Sequence, residues 1–198
     1  MDVARTFEEL LVEQCAPTLA GVKPASLFRY RGSQMGEARW LADRWGRELA
    51  ARGLTLQVLK ACSLTGACMI FLYRADWLRQ ILAEPSNRRF LMEQGYPAGV
   101  DIPRLLEQLS RRLCLEQDYP HEIGLLLGYP LEDVVGFMEN RGRNFTCCGY
   151  WKAYGDPEAA RRRFAQYRRG LAAPCAEAQH GDSGHQQRDL RRGLFPAA

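Results

Sequence analysis

Residues 54–74 read LTLQVLKACSLTGACMIFLYR, and two apolar patterns within them decide the fold class. Leu54, Leu56 and Val58 alternate with polar neighbours, which predicts a strand over 54–59 with one apolar face. Residues 67–73 form an unbroken apolar run ending at Tyr73 and Arg74, the pattern of a buried strand. The intervening KACSLTGA is short and contains Gly66, so the two strands are expected to be antiparallel neighbours in a hairpin. A third strand is expected at 26–30.

Working outward, the flanks are helical. Phe7, Leu10, Leu11 and Cys15 share one face of a helix over 5–15, with Pro17 expected to end it. Ala38, Leu41, Ala42, Trp45 and Leu49 give 35–52 the strongest helical stripe, and Gly53 stops it. Beyond Arg74 helices are expected at 76–83, 86–94 and 101–115. The last carries Ile102, Leu105, Leu106, Leu109 and Leu113 as a packing stripe, with Arg104, Arg111 and Arg112 placed on a solvated face. The fold class is therefore α+β: a sheet of about three strands, near 26–30, 54–59 and 67–73, packed with a mainly helical C-terminal half.

A 198-residue chain with a net charge of +4 is long enough to bury one core without disulfides or metal, and 1–171 is assigned to a single globular domain. Residues 172–198 lose all periodicity and are expected to be a disordered tail. Its Cys175, His180 and His185 make a poor metal site, since ordering a floppy chain costs entropy. No apolar run approaches the roughly 20 residues that span a bilayer, and the acidic start has no secretory character, so a cytoplasmic protein without membrane contact is expected. Seven cysteines form no C-x-x-C pair, which argues for reduced thiols over a disulfide framework or a zinc knuckle. Cys15 and Cys114 are expected to be buried as small hydrophobes.

The unusual chemistry collects in residues 119–154, YPHEIGLLLGYPLEDVVGFMENRGRNFTCCGYWKAY. Pro120 begins a short helix, Gly128 ends it and Pro130 opens another, whose stripe is Leu131, Val134, Val135 and Met138. The pair matches the apolar template of a helix-turn-helix. However, the second helix exposes Glu132 and Asp133 in its first turn, the wrong sign for a polyanion, so an αα-hairpin is preferred. The following segment is non-helical. Phe145, Tyr150, Trp151 and Tyr154 surround Lys152, either as walls of a pocket with a cation at its floor or as a satellite core under a loop.

The runs PHEIGLLLGYPLEDVVGF and CCGYWKAYGD, with CAPTLAGVKPASLF near the start, resemble a bacterial family catalogued as a domain of unknown function. The resemblance covers most of residues 7–170. It implies a shared fold and a shared surface, and brings no catalytic residue or substrate with it.

The residues favour a small-molecule, cofactor or metal-binding domain, with the question of a reaction left open, whose site joins the HEIG and CCGYWK segments. His121 is the candidate base or metal ligand, Glu122 its orienting group or an acid, and Cys148 a nucleophile or soft ligand. Lys152 and Tyr150 are the candidate ligand contacts. Lys23, beside Gly21, and Arg74, where a buried strand meets its helix, are further candidates for holding an anion. The geometric expectation is that His121, Cys148 and Lys152 open into one concavity. The expected partner is a small anionic ligand or a metal. Two alternatives use the basic 141–170 segment, where seven arginines and Lys152 face only Asp156 and Glu158. One is a nucleic-acid-binding or regulatory protein, the other a protein–protein adaptor. Against both, Phe164, Tyr167 and Leu171 have the spacing of a helix docked on a core, which would make the arginines its wet side.

Overall fold

The computed structural model describes residues 5–32, 36–62, 65–115 and 119–172. Along the chain run α1 (Phe7–Leu19), β1 (Ala25–Arg31), α2 (Glu37–Ala50), β2 (Leu54–Ala61), β3 (Ala67–Arg74), α3 (Ala75–Ala83), α4 (Pro85–Glu93) and α5 (Ile102–Leu115). Then follow α6 (Ile123–Leu126), α7 (Leu131–Glu139), a hairpin of β4 (Cys147–Cys148) and β5 (Lys152–Ala153), and α8 (Pro157–Ala172). The architecture is α+β, as the two patterns in 54–74 require.

The three long strands pair antiparallel in the order β1-β3-β2. Because β3 is central, both of its faces are covered, and its unbroken apolar run follows from that position. Cys68, Ile70 and Leu72 face one core with Phe28 and Tyr30 of β1, closed over by Phe7, Leu11 and Cys15 of α1 and Leu41 and Leu49 of α2. Phe71 and Tyr73 face a second core with Leu27, roofed by the C-terminal helices through residues such as Leu78, Leu91, Leu105, Leu109 and Leu126. The sheet is thus the middle layer between an N-terminal helix pair and a helical C-terminal half.

A β-bulge in β2 serves both layers. Leu54, Leu56 and Val58 point to the first core, but the register slips between Val58 and Lys60, and the extra residue, Leu59, turns to the second core. There α5 locks onto the bulge: Ser110 Oγ donates to the Leu59 carbonyl, and Lys60 Nζ to the Leu113 carbonyl.

Helix α1 differs from its expected boundary. A capping box starts it, Thr6 Oγ1 accepting from Glu9 N and the Glu9 carboxylate accepting from Thr6 N, but Pro17 lies inside the helix, which runs on to Leu19. Proline removes one donor and disfavours only the turn behind it. Here the end of the helix is secured from elsewhere: Arg74 donates from Nε to Thr18 O and from Nη2 to Leu19 O, both at 3.1 Å. The cation also sits at the negative end of the helix dipole.

Two surface assignments are corrected. Cys114 is exposed, because the α5 stripe is filled by Leu106, Leu109 and Leu113. Arg104 and Arg111 are solvated as expected, but Arg112 turns inward to an ion pair with Glu122. The readings placed on Leu171 and on the 172–198 tail, including Cys175, His180 and His185, concern side chains outside the described residues.

Candidate functional site

The HEIG and CCGYWK segments do meet. Gly128 ends the single turn of α6 at φ +84°, with Tyr129 N donating back to Gly124 O at 3.0 Å, the six-to-one bond of a Schellman turn. A Cβ on Gly128 would stand 2.5 Å from the Pro24 ring, so close packing as well as φ requires glycine. The reversal lays α7 beside α6 as the expected αα-hairpin.

Asp133 fastens the β4–β5 hairpin to α7. Rather than standing exposed in the first turn, its carboxylate is buried and accepts from Trp151 Nε1 at 2.7 Å, Tyr154 N at 2.6 Å and Gly155 N at 3.0 Å. The acid therefore supplies acceptors for a loop about twenty residues away, which offsets its own desolvation. Trp151 is stacked on Tyr129 with centroids 4.9 Å apart and meets the edge of Phe164 at 4.5 Å. Tyr150 packs edge-on to Tyr167 at 5.3 Å. The aromatic cluster is mainly a core, and it seats α8.

Between these parts lies a cavity of about 30 Å³, with Tyr119, His121, Asp133, Phe137, Trp151 and Lys152 in its wall. His121 and Lys152 share it, whereas Cys148, the cross-strand neighbour of Lys152, is half-buried and does not line it. The His121 ring meets Phe137 edge-on at 4.9 Å and lies 5.7 Å from Tyr119. Lys152 Nζ donates to Gly142 O at 2.8 Å and lies over the rings of Phe137 and Phe145. A volume of this size holds one water molecule.

The other candidates are placed elsewhere. Glu122 points away from His121 into the core, 2 % exposed, accepting from Tyr96 Oη at 2.9 Å and Arg112 Nη1 at 2.5 Å. This carboxylate raises the Tyr96 phenol further above its ordinary range, where burial has already put it. Arg74 spends its donors on the end of α1 and, from Nη1 at 3.4 Å, on Arg52 O. Lys23 is buried, its amine 5.5 Å from the Tyr129 ring centroid and 5.8 Å from that of Tyr167. Burial lowers its pKa from 10.5 to about 8, with Cys15 opposing the shift, and burial likewise pushes the Cys15 thiol up to about 12. Such a thiol is protonated and unreactive at neutral pH. Among the described residues no group of three or more His, Cys, Asp or Glu is placed to hold a metal ion.

The larger concavity carried no chemical signal in the sequence. A groove of about 760 Å³ runs between α3, α4 and the 97–103 segment that leads into α5. Buried Tyr73, Leu91 and Ile102 are among the residues lining it, with Leu82, Met92 and Val100 less buried beside them. Arg79 and Arg88 bring positive charge to it. Asp101, its acidic residue, is engaged in capping α5 by accepting from Arg104 N at 2.9 Å.

On α8, Phe164 and Tyr167 are buried while Arg161, Arg162, Arg163, Arg168 and Arg169 are exposed, so the arginines form the wet side. Arg161 pairs with Glu158, and Arg162 lies 3.7 Å from Asp156.

Residues 11–186 match the model of a family described as a protein of unknown function (DUF3793), and the chain belongs to that family. No curated protein and no solved structure matches it.

Proposed function

We propose that this family member is a small-molecule-binding domain whose ligand occupies the groove between α3, α4 and residues 97–103. One observation carries the reading: the volume of about 760 Å³ over a floor of core side chains. Binding sites for organic ligands span about 300–1,000 Å³ and are mostly apolar with few polar groups. The cavity that joins His121 to Lys152 has room for a water molecule, so an organic ligand is better accommodated in the groove.

The reading is binding without an assigned reaction. The described residues that line the groove include no His, Cys, Ser or Lys; of its acid–base side chains, Asp101 caps α5 and Tyr73 is buried. Nile red, a neutral dye that fluoresces in apolar surroundings, tests it. The folded protein is expected to bind the dye, and Ala98→Trp, which places an indole at the exposed rim, is expected to abolish binding with an unchanged circular dichroism spectrum. Equal dye binding by both proteins, or none by either, overturns the reading.

A second reading, contact with a nucleic acid through α8, is favoured by the exposure of five arginines on a helix whose apolar stripe is already docked. Binding to RNA that weakens steeply with salt and disappears when Arg161, Arg162 and Arg163 are replaced by alanine would support it. Binding that survives those changes would remove it.

A further inference from the structure

Helix α3 ends at Ala83 and α4 begins at Pro85, so the last carbonyls of α3 lack helical partners of their own. Two side chains in the first turn of α4 fill that need. Asn87 Nδ2 donates to Ile81 O at 2.9 Å, and Arg88 Nε donates to Leu82 O at 2.7 Å. The second bond fixes the root of the Arg88 guanidinium against the backbone. Its two terminal nitrogens, which carry four N–H donors, have no hydrogen bond or ion pair among the described residues.

The other charges of the groove are matched. Arg79 is paired with Asp76, and Asp101 accepts from the α5 backbone. The unmatched charge is therefore the Arg88 fork, a planar pair of donors shaped for a carboxylate. The same groove is lined by Leu82 and Val100, which are partly buried, and by Met92, which is exposed.

Resting on the proposal that the groove is a ligand site, we infer that its ligand is an amphiphilic carboxylate: the anionic head is held in a bidentate contact by Arg88, and the hydrocarbon lies along Leu82, Met92 and Val100. The nitrogen already bonded to Leu82 O acts as a hinge pin. The head group is met by a donor pair that has little freedom left to lose, which favours binding over a guanidinium on a free side chain.

Competition against Nile red separates this inference from the reading beneath it. Decanoate, decanol and decyltrimethylammonium have similar tails and differ in head charge. On the native protein decanoate is expected to displace the dye at a concentration at least about tenfold lower than the other two, the size of one charge-assisted contact. Arg88→Gln is expected to erase the preference for decanoate over decanol. Arg89→Gln, which removes an exposed arginine next in sequence that does not line the groove, is expected to keep it. Equal potency of the three competitors on the native protein, or a preference that survives Arg88→Gln, overturns the carboxylate assignment. The groove reading would still stand if Ala98→Trp blocked the dye. Dye binding that Ala98→Trp leaves untouched overturns both.

Discussion

Replacing Lys23 by methionine should stabilise the protein, and the gain should shrink as pH rises. Lys23 is 8 % exposed, and its pKa falls from 10.5 to about 8 because burial disfavours the ammonium form. Below pH 8 the lysine is charged in both states, so the folded state bears the full cost of the desolvated charge. Between pH 8 and 10.5 the unfolded chain binds more protons than the folded one, and stability rises with pH. Above 10.5 the penalty is gone. A shift of this size corresponds to about 3 kcal/mol at pH 7, the net penalty on the charged form beside the rings of Tyr129 and Tyr167. Methionine is an unbranched, uncharged side chain that packs well on rings. Lys23→Met should therefore be more stable by about 3 kcal/mol at pH 7 and by only about 1 kcal/mol at pH 9.5. Urea unfolding of both proteins at the two pH values measures this, since other groups titrating in that range cancel in the difference. A variant less stable than the native protein at pH 7, or a gap independent of pH, would refute the picture of Lys23 as a desolvated cation.

Three further outcomes follow from contacts already described. Arg112→Ala strands the Glu122 carboxylate in the core and should cost about 3 kcal/mol in chemical denaturation, little changed by added salt. Asp133→Ala removes the acceptor for three N–H groups of the hairpin; a loss on the order of 3 kcal/mol is expected, with Trp151 emission shifted to the red as the indole gains water. Gly149→Ala drives a Cβ to 2.3 Å from the Phe164 ring, so α8 should be pushed off its seat at a cost of about 1–3 kcal/mol, seen as faster amide exchange across 157–169.

The sheet was legible because its signals are local. The run from Ala67 to Tyr73 needs apolar neighbours on both sides wherever it lies, and Gly66 marks the reversal before it. The Leu59 bulge was not legible, since nothing in 54–61 announces that one residue must face a different core from its neighbours. Pro17 misled for a related reason: the donors that secure the end of α1 belong to Arg74, which is adjacent only after the sheet has formed.

The site shows the same division. The meeting of the HEIG and CCGYWK segments followed from a helical turn closed by Gly128. The burial of Asp133 and the inward turn of Glu122 depend on partners such as Trp151 and Tyr96, which periodicity cannot supply. The groove had no signature at all. Its 97–103 wall is PAGVDIP, and its one unmatched charge, Arg88, differs from the other arginines of the chain only in what holds it.

The most direct measurement is a titration of protein carrying ¹³C-methyl methionine with decanoate, followed by NMR. Met92 lines the groove, while Met138 lies on α7, next in sequence to Phe137 of the wall of the cavity that joins His121 to Lys152. The methyl resonance of Met92 should move in a saturable way while those of Met138 and of Met69, which lies on β3 and does not line the groove, stay in place. Movement of Met138 with Met92 fixed, or no saturable change in any methyl, would contradict the account.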